Sequence, residues 1–257
     1  MERHFTGTVA SNSQIARDTF LMAIQLPREV ALAVRPGQFI HIAVPSSDAR
    51  ILRRPISVNY VDRAAGTVHI AYAVVGGGTE LLSRCGAGTK LDIVGPLGKG
   101  FVLRPEHKTV WLVGGGIGCA PLLTLAEDRQ RAYTAFLGFK SEEYAYETDA
   151  FERFCKKVLV STDDGSMGAH CFVTDLVKRR LEAEKPSVIL ACGPTPMLRA
   201  LKQVWQEAGG DMEVQVSLEQ RMGCGTGGCY TCTCAVGGSM KRVCTDGPVF
   251  DISEVAL

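Results

Sequence analysis

Four cysteines near the C-terminus, Cys224, Cys229, Cys232 and Cys244, follow the C-x4-C-x2-C…C spacing of plant-type 2Fe-2S sites. Such a cluster needs four thiolates, because each of its two irons takes two protein sulfurs beyond the bridging sulfides. The residues between the first two cysteines, Gly225-Thr226-Gly227-Gly228, let the backbone curl without Cβ clashes and point its amides at sulfur. A cluster of this kind moves one electron at a time, so the spacing points to a protein that handles electrons. Zinc fits less well, since its sites favour paired short cysteine spacings. Disulfides require an oxidising compartment. Cys234 would share a face with Cys232 on a strand, and is expected to pack nearby rather than to ligate.

Other motifs suit phosphate. Val113-Gly-Gly-Gly-Ile-Gly-Cys-Ala-Pro121 ends an apolar strand and opens a helix, where backbone amides and the helix dipole can receive a pyrophosphate. It is not the G-x-G-x-x-G fingerprint, and alone it reads equally as a plain strand-to-helix turn. Ala191-Cys-Gly-Pro-Thr-Pro-Met197 ends a later strand, and two such turns in one doubly wound sheet imply a nucleotide crevice. Arg53-Arg-Pro-Ile-Ser57 opens a strand with a guanidinium suited to bidentate phosphate contact and a hydroxyl that can reach a ring nitrogen. Its plain alternative is two solvated arginines before a proline. Gly76-Gly-Gly-Thr79 precedes a short helix, Thr79 to Ser83, and offers a further phosphate seat.

The elements that must carry these motifs fall into two patterns. Gln38–Val44, Ile56–Val61, Val68–Val75 and Lys90–Val94 are rich in β-branched residues and separated by Arg-Pro-Gly, Arg-Ala-Ala-Gly and Gly-Ala-Gly turns, which predicts a small antiparallel barrel or sandwich. After Pro105 strands alternate with helices. Strands are expected at Thr109–Val113, Tyr133–Phe139, Lys157–Ser161, Val188–Ala191 and Glu213–Ser217, with helices near Ala120–Arg131, Thr174–Leu181 and Pro196–Ala208. That alternation predicts a parallel, doubly wound sheet. The expected order is a β domain over residues 1–103, an α/β domain over 104–216 and a cluster module over 217–257.

With 257 residues the chain can fill two ordinary cores. Its 28 Lys and Arg nearly balance 27 Asp and Glu, which gives no electrostatic case for nucleic acid or an anionic membrane surface. The first residues lack the basic-then-apolar run of a signal peptide, and no apolar stretch is long enough to span a bilayer. Ten cysteines without an export signal argue for a reducing, cytoplasmic setting.

In this order the motifs resemble the ferredoxin-reductase superfamily of flavoproteins and, more closely, the electron-transfer subunits of class 1B, NAD-dependent dihydroorotate dehydrogenases. The likeness covers essentially the whole chain. It rests on Arg54-Pro-Ile-Ser57, Gly76-Gly-Gly-Thr79, Gly95-Pro-Leu-Gly-Lys-Gly100, the Gly114–Pro121 turn, Cys192-Gly-Pro and Ser217-Leu-Glu-Gln-Arg-Met-Gly-Cys224. The resemblance implies FAD in the barrel, with Arg54 on its pyrophosphate, Pro55, Ile56 and Ser57 along the isoalloxazine, and Gly77, Gly78 and Thr79 facing its phosphates. It implies NAD at Gly114, Gly115, Gly116 and Gly118, with Cys192 and Gly193 near the nicotinamide. It also implies a separate FMN-containing catalytic subunit that oxidises dihydroorotate in pyrimidine biosynthesis, a two-plus-two heterotetramer, and electron flow from FMN through the 2Fe-2S cluster and FAD to NAD+.

The chain departs from the superfamily pattern in two places. Ile56 stands where many members carry tyrosine, and the chain runs on into the cysteine loop where plant-type reductases end in a ring-stacking aromatic. Phe250 could cover the flavin, but a core anchor is the expected role. Glu142, Glu143, Asp163 and Asp164 favour NAD over NADP, against Lys140, although both aspartates suit turn caps equally. No general base for dihydroorotate is visible, and Cys192, lacking an organised His partner, is expected to make van der Waals contact only. Glu219 and Arg221 are expected to pair with each other or with a partner. The rival readings are an NAD(P)H:ferredoxin-type reductase or a sulfide dehydrogenase or bifurcating subunit, a redox-silent assembly protein, and a zinc-stabilised binding module.

Overall fold

A computed structural model of the chain describes residues 4–45 and 51–257. Six strands, β1 (His4–Ala16), β2 (Thr19–Gln25), β3 (Phe39–Ile42), β4 (Arg54–Asp62), β5 (Thr67–Ala73) and β6 (Lys90–Leu97), close into an antiparallel barrel in the order β1-β2-β5-β4-β3-β6. Closure removes sheet edges. The inward positions, Met22, Ile24, Ile40, Ile42, Ile70, Leu91 and Ile93, have no solvent exposure. Gly7 on β1 has no room for a side chain, since a Cβ there would lie 2.7 Å from Ile24. Two short helices, α1 (Arg28–Ala33) and α2 (Gly77–Ser83), sit between strands.

The first two strands and α1 carry little sequence signal. β1 passes through Ser11-Asn12-Ser13-Gln14, and register shifts on either side of it bend the strand. Asn12 nevertheless serves the fold. Its amide donates to the carbonyls of Leu82, Ser83 and Cys85 at the end of α2, and its Oδ1 accepts from the Tyr72 hydroxyl at 3.0 Å.

The second half is a seven-stranded sheet in the order β10-β9-β8-β7-β11-β12-β15. These are β7 (Thr109–Gly115), β8 (Ala132–Phe139), β9 (Lys157–Thr162), β10 (Ala169–His170), β11 (Val188–Cys192), β12 (Val214–Ser217) and β15 (Val249–Asp251). All neighbours run parallel except β15, which pairs antiparallel to β12. β11 is buried along its whole length, as a strand covered on both faces must be. Helices α4 (Thr148–Phe154), α5 (Val173–Leu181) and α6 (Thr195–Glu207) cover the faces. α6 buries Leu198, Leu201 and Val204 on one stripe and carries Pro196 in its first turn.

The helix expected over Ala120–Arg131 is much shorter. Gly116–Leu122 forms a 3-10 turn with Pro121 inside it, and a single α turn, α3 (Leu123–Ala126), follows. Proline withholds one backbone donor. Asp128 then ends the helix by accepting from the Gln130 amide at 3.0 Å and pairing with Arg131.

The cysteine segment is not free-standing. It contributes a hairpin, β13 (Thr233–Val236) with β14 (Ser239–Arg242), and its last strand completes the edge of the large sheet. Val236, Val243, Ile252 and Val255 share one core with Val214 and Val216 of β12 and with Phe39 and Leu97 of the barrel.

Candidate functional site

Strand order reverses at β7. The chain proceeds to β8, β9 and β10 on one side, then returns to β11 and β12 on the other. Ligands in such sheets bind beyond the strand C-termini at that reversal. Both glycine turns lie there, because Cys192 at the end of β11 is in register with Gly114 of β7. They pack backbone to backbone: a Cβ on Gly118 would strike the Cys192 carbonyl.

The turn divides two hollows. One is a crevice of about 420 Å³, lined by Gly115, Gly116, Gly138, Phe139, Lys140, Asp163, Phe172, Val173, Thr174, Pro194, Pro196, Met197 and Ala200. Gly116 takes φ +54°, a region glycine enters without penalty. Gly114 and Gly118 do not line the crevice; at Gly114 a Cβ would lie 2.7 Å from Cys119 Sγ, and Gly193 is held equally close to Met197. Lys140 and Asp163, weighed from the sequence as opposing signals, stand on the same wall. Asp164 instead caps a turn, accepting from the Ser166 amide at 3.0 Å and hydroxyl at 2.6 Å, which lowers its pKa.

The other hollow, about 270 Å³, lies between barrel and sheet. Its lining includes Pro55, Ile56 and Ser57 of β4, Tyr72 of β5, Val75 and Thr79 at the start of α2, Ile117 and Pro121 of the turn, and Cys192. Ser217, Leu218, Glu219, Gln220, Met222 and Pro248 close the far side. Phe250 is absent from this lining; on β15 it pairs with Val216 of β12 and packs on Gly247, as a core anchor does. Burial, then the Glu219 carboxylate, push the Cys192 thiol up to about 12, so it stays protonated at neutral pH. Glu219 is exposed on its outer side, yet protein crowds its carboxyl and raises its pKa. Among the described residues, neither Glu219 nor Arg221 forms an ion pair.

At the rim, the two arginines of the Arg-Arg-Pro motif divide. Arg53 is tied to Asp92, donating to its carboxylate at 2.6 Å and its carbonyl at 2.8 Å. Arg54 bonds its own loop at Leu52 and lies against Gly78, where any Cβ would strike the guanidinium. The Thr79 hydroxyl accepts from the amides of Val75 at 3.0 Å and Gly76 at 3.3 Å. Arg54 and the Gly77–Thr79 turn are thus one cationic, amide-rich corner, as a pyrophosphate requires.

The four cysteines group two and two. The Cys224 amide donates to Cys229 Sγ at 3.3 Å, and the Cys229 and Thr226 amides donate to Cys224 Sγ at 3.4 Å each. The Cys244 amide donates to Cys232 Sγ at 3.4 Å. Burial opposes ionisation of Cys224, but the Thr226 and Cys229 amides outweigh it and bring the thiol down to about 6. Cys244 is pushed up to about 11 by burial and by Cys232. Two sulfurs per iron and amides on sulfur are what a 2Fe-2S cluster asks of its loop. Among the described residues, no three His, Cys, Asp or Glu side chains are set for a single ion. Cys234 sits on β13 opposite Lys241 and packs into the shared core.

Beneath this loop lies a residue the sequence did not single out. His41 of β3 is wholly buried, both ring nitrogens lack a well-formed partner, and a Cβ on Gly225 would lie 2.6 Å from its Nδ1. Burial lowers its pKa. Its register partner on the neighbouring strand β4 is Pro55, which lines the flavin-side hollow, and Gly225 of the cysteine loop packs on its ring, so His41 stands between that hollow and the loop.

A barrel with a phosphate corner, a second crevice across a shared wall, and a four-thiolate loop beyond define a flavin- and cluster-carrying reductase. Residues 6–101 match the family model of the oxidoreductase FAD-binding domain, and residues 219–256 that of the iron-sulfur cluster binding domain of dihydroorotate dehydrogenase B. The "Dihydroorotate dehydrogenase B (NAD(+)), electron transfer subunit" of Fusobacterium nucleatum is 40% identical over 97% of both chains. Those of Geobacillus kaustophilus and Enterococcus faecalis are 42% and 38% identical over the same shares. The chain belongs to this family of electron transfer subunits. Among solved structures, one described as NADH-dependent reduced ferredoxin-NADP oxidoreductase superposes with TM-score 0.85 at 30% identity, over 97% of this chain and 89% of that one. Phthalate dioxygenase reductase shares the fold, with TM-score 0.67 at 18% identity over 91% and 86% of the two chains.

Proposed function

We propose that this chain carries electrons, in pyrimidine biosynthesis, between NAD+ and an FMN-containing catalytic subunit that oxidises dihydroorotate. The observation that carries the reading is the continuity of the three sites. The Gly114–Pro121 turn is at once a wall of the nucleotide crevice and of the barrel hollow, and the far wall of that hollow, Ser217–Met222, runs directly into Cys224. FAD, when bound, exchanges a hydride on one side and single electrons on the other, and a 2Fe-2S cluster exchanges single electrons.

The residues divide the remaining work. Arg54 with Gly77, Gly78 and Thr79 holds the FAD pyrophosphate, and Pro55, Ile56 and Ser57 set the ring against the barrel. Gly115 and Gly116 offer backbone to the dinucleotide, while Gly114, Gly118 and Gly193 let the two turns approach. Asp163 engages the ribose diol. Cys192 fills the space beside the reacting carbon without ionising. Cys224 and Cys229 hold one iron, Cys232 and Cys244 the other. The cysteine loop faces the catalytic subunit in a two-plus-two heterotetramer, in the cytoplasm, where ten cysteines stay reduced.

The test is coexpression with an FMN-dependent dihydroorotate-oxidising subunit. Copurification at the mass of a two-plus-two complex, with dihydroorotate-dependent NAD+ reduction, supports the proposal. The bifurcating reading draws on the ferredoxin-NADP oxidoreductase likeness. A complex that reduces NADP+ from ferredoxin and ignores dihydroorotate would favour it instead.

A further inference from the structure

The wall between the two hollows is held from behind by a polar link that joins the barrel to the α/β sheet. Asn59 of β4 lies two residues past Ser57, at a register shift between Val58 and Tyr60. Such a bulge re-aims a side chain, and this one enters the interface and is 1% exposed. Its Nδ2 donates to the Glu147 carboxylate at 2.8 Å and lies 3.3 Å from the Ala120 carbonyl of the 3-10 turn. Its backbone carbonyl accepts from Thr124 Oγ1 at 2.6 Å. Glu147 takes φ +54° just before α4, a conformation that a side-chain-bearing residue adopts at a cost. The hydroxyl of its neighbour Tyr146, also buried, lies 3.2 Å from the carbonyls of Gly116 and Ile117.

The glycine turn is therefore held at Ala120 by the Asn59 amide and at Gly116 and Ile117 by one Tyr146 hydroxyl proton that their carbonyls share, both from residues that line neither hollow. Gly116 on one flank lines the nucleotide crevice, and Ile117 on the other lines the barrel hollow. Burying a carboxylate and straining its backbone oppose stability. Neither is needed merely to join two domains, since apolar contact does that more cheaply.

We infer that Asn59 and Glu147, with Tyr146, are positioning residues that set the distance and angle between the nicotinamide and the flavin. They touch neither ring and act through the turn. A shift of about 1 Å in such an alignment can cost roughly a hundredfold in rate. The inference rests on the proposed NADH–flavin exchange.

The test uses the coexpressed complex carrying N59A, E147A, both together, or E147Q. Readouts are the saturating rate of flavin bleaching by NADH, its half-saturating NADH concentration, the long-wavelength absorbance of stacked nicotinamide and flavin, and bound flavin and iron. Each alanine variant should bleach about 10- to 100-fold more slowly and lose the long-wavelength band, with flavin, iron and half-saturation nearly unchanged. The double variant should be no slower than the slower single, as a unit requires. E147Q, which keeps an acceptor for Asn59, should stay within about threefold of wild type. Wild-type rates in N59A, or single effects that multiply, would overturn the inference. If E147A loses its flavin, N59A and E147Q decide alone by the same criteria. A wild-type flavin that NADH does not bleach overturns both the functional reading and this inference.

Discussion

Replacing Gly225 by alanine puts the cysteine loop to a quantitative test. Gly225 holds φ +73°, where an added Cβ costs about 1–2 kcal/mol. That Cβ would also lie 2.6 Å from His41 Nδ1, 3.2 Å from Leu97 and 3.3 Å from His41 Cγ. His41 and Leu97 are both in the barrel wall with essentially no exposure, so neither can yield cheaply. Overpacking of that kind costs about 1–3 kcal/mol. Together the two effects reach about 2–5 kcal/mol against the cradle geometry, roughly 30-fold or more in its population. Three residues on, Gly228 has nothing within 4 Å of an added Cβ and does not take a left-handed backbone, so G228A should be nearly silent. Wild type, G225A and G228A purified side by side without oxygen are compared for iron, acid-labile sulfide and bound flavin. The expected result is low iron and sulfide in G225A alone, with flavin retained in all three. Adding H41A to G225A should restore part of the cluster by relieving the overlap while the backbone strain remains. A G225A protein as rich in cluster as G228A would show that neither the left-handed backbone nor the overlap with His41 limits the cradle.

Other predictions concern separate parts of the chain. Serine at Cys224, Cys229, Cys232 or Cys244 should abolish the cluster, whereas Cys234→Ser retains it; full iron in a Cys244 variant would displace that residue as the fourth ligand. Arg54→Ala should weaken FAD binding by roughly 10- to 100-fold through lost charge-assisted phosphate contact, measured by flavin retention on dialysis, and unchanged affinity would reject the role. Burial raises the Glu147 pKa from 4.5 to about 7. A carboxyl raised on folding stabilises below its unfolded pKa and loses that contribution as pH rises through the folded value. Wild-type stability relative to E147Q should therefore fall by about 2 kcal/mol between about pH 5.5 and 8. Denaturation of both proteins across that range checks it, and parallel curves would contradict it.

Much of the site could be read from sequence because its residues are punctuation. Glycine turns, an arginine before proline and spaced cysteines keep their meaning without tertiary context, and the barrel strands from Phe39 onward announced themselves by β-branched runs. β1 did not, because Asn12 and its polar neighbours serve the end of α2 rather than a core. The helix after β7 is shorter than its local sequence suggests, because Pro121 disturbs its start and Asp128 ends it by accepting from the Gln130 amide and pairing with Arg131. The division of labour within Gly114–Gly118 depends also on Cys192 and Met197, which only the packed sheet brings near. β15 was invisible because a three-residue strand at a sheet edge gains its identity from β12. His41, Asn59 and Glu147 have no local signature at all; each matters through what lies across an interface.

On this reading, NADH, a flavin and a 2Fe-2S cluster communicate through this one chain. An anaerobic NADH titration of the purified protein, followed by visible absorbance alongside flavin, iron and sulfide content, tests it directly. Both the flavin and the cluster spectra should bleach with NADH, and far less readily with NADPH. A protein that holds both cofactors while NADH leaves either spectrum unchanged would contradict it.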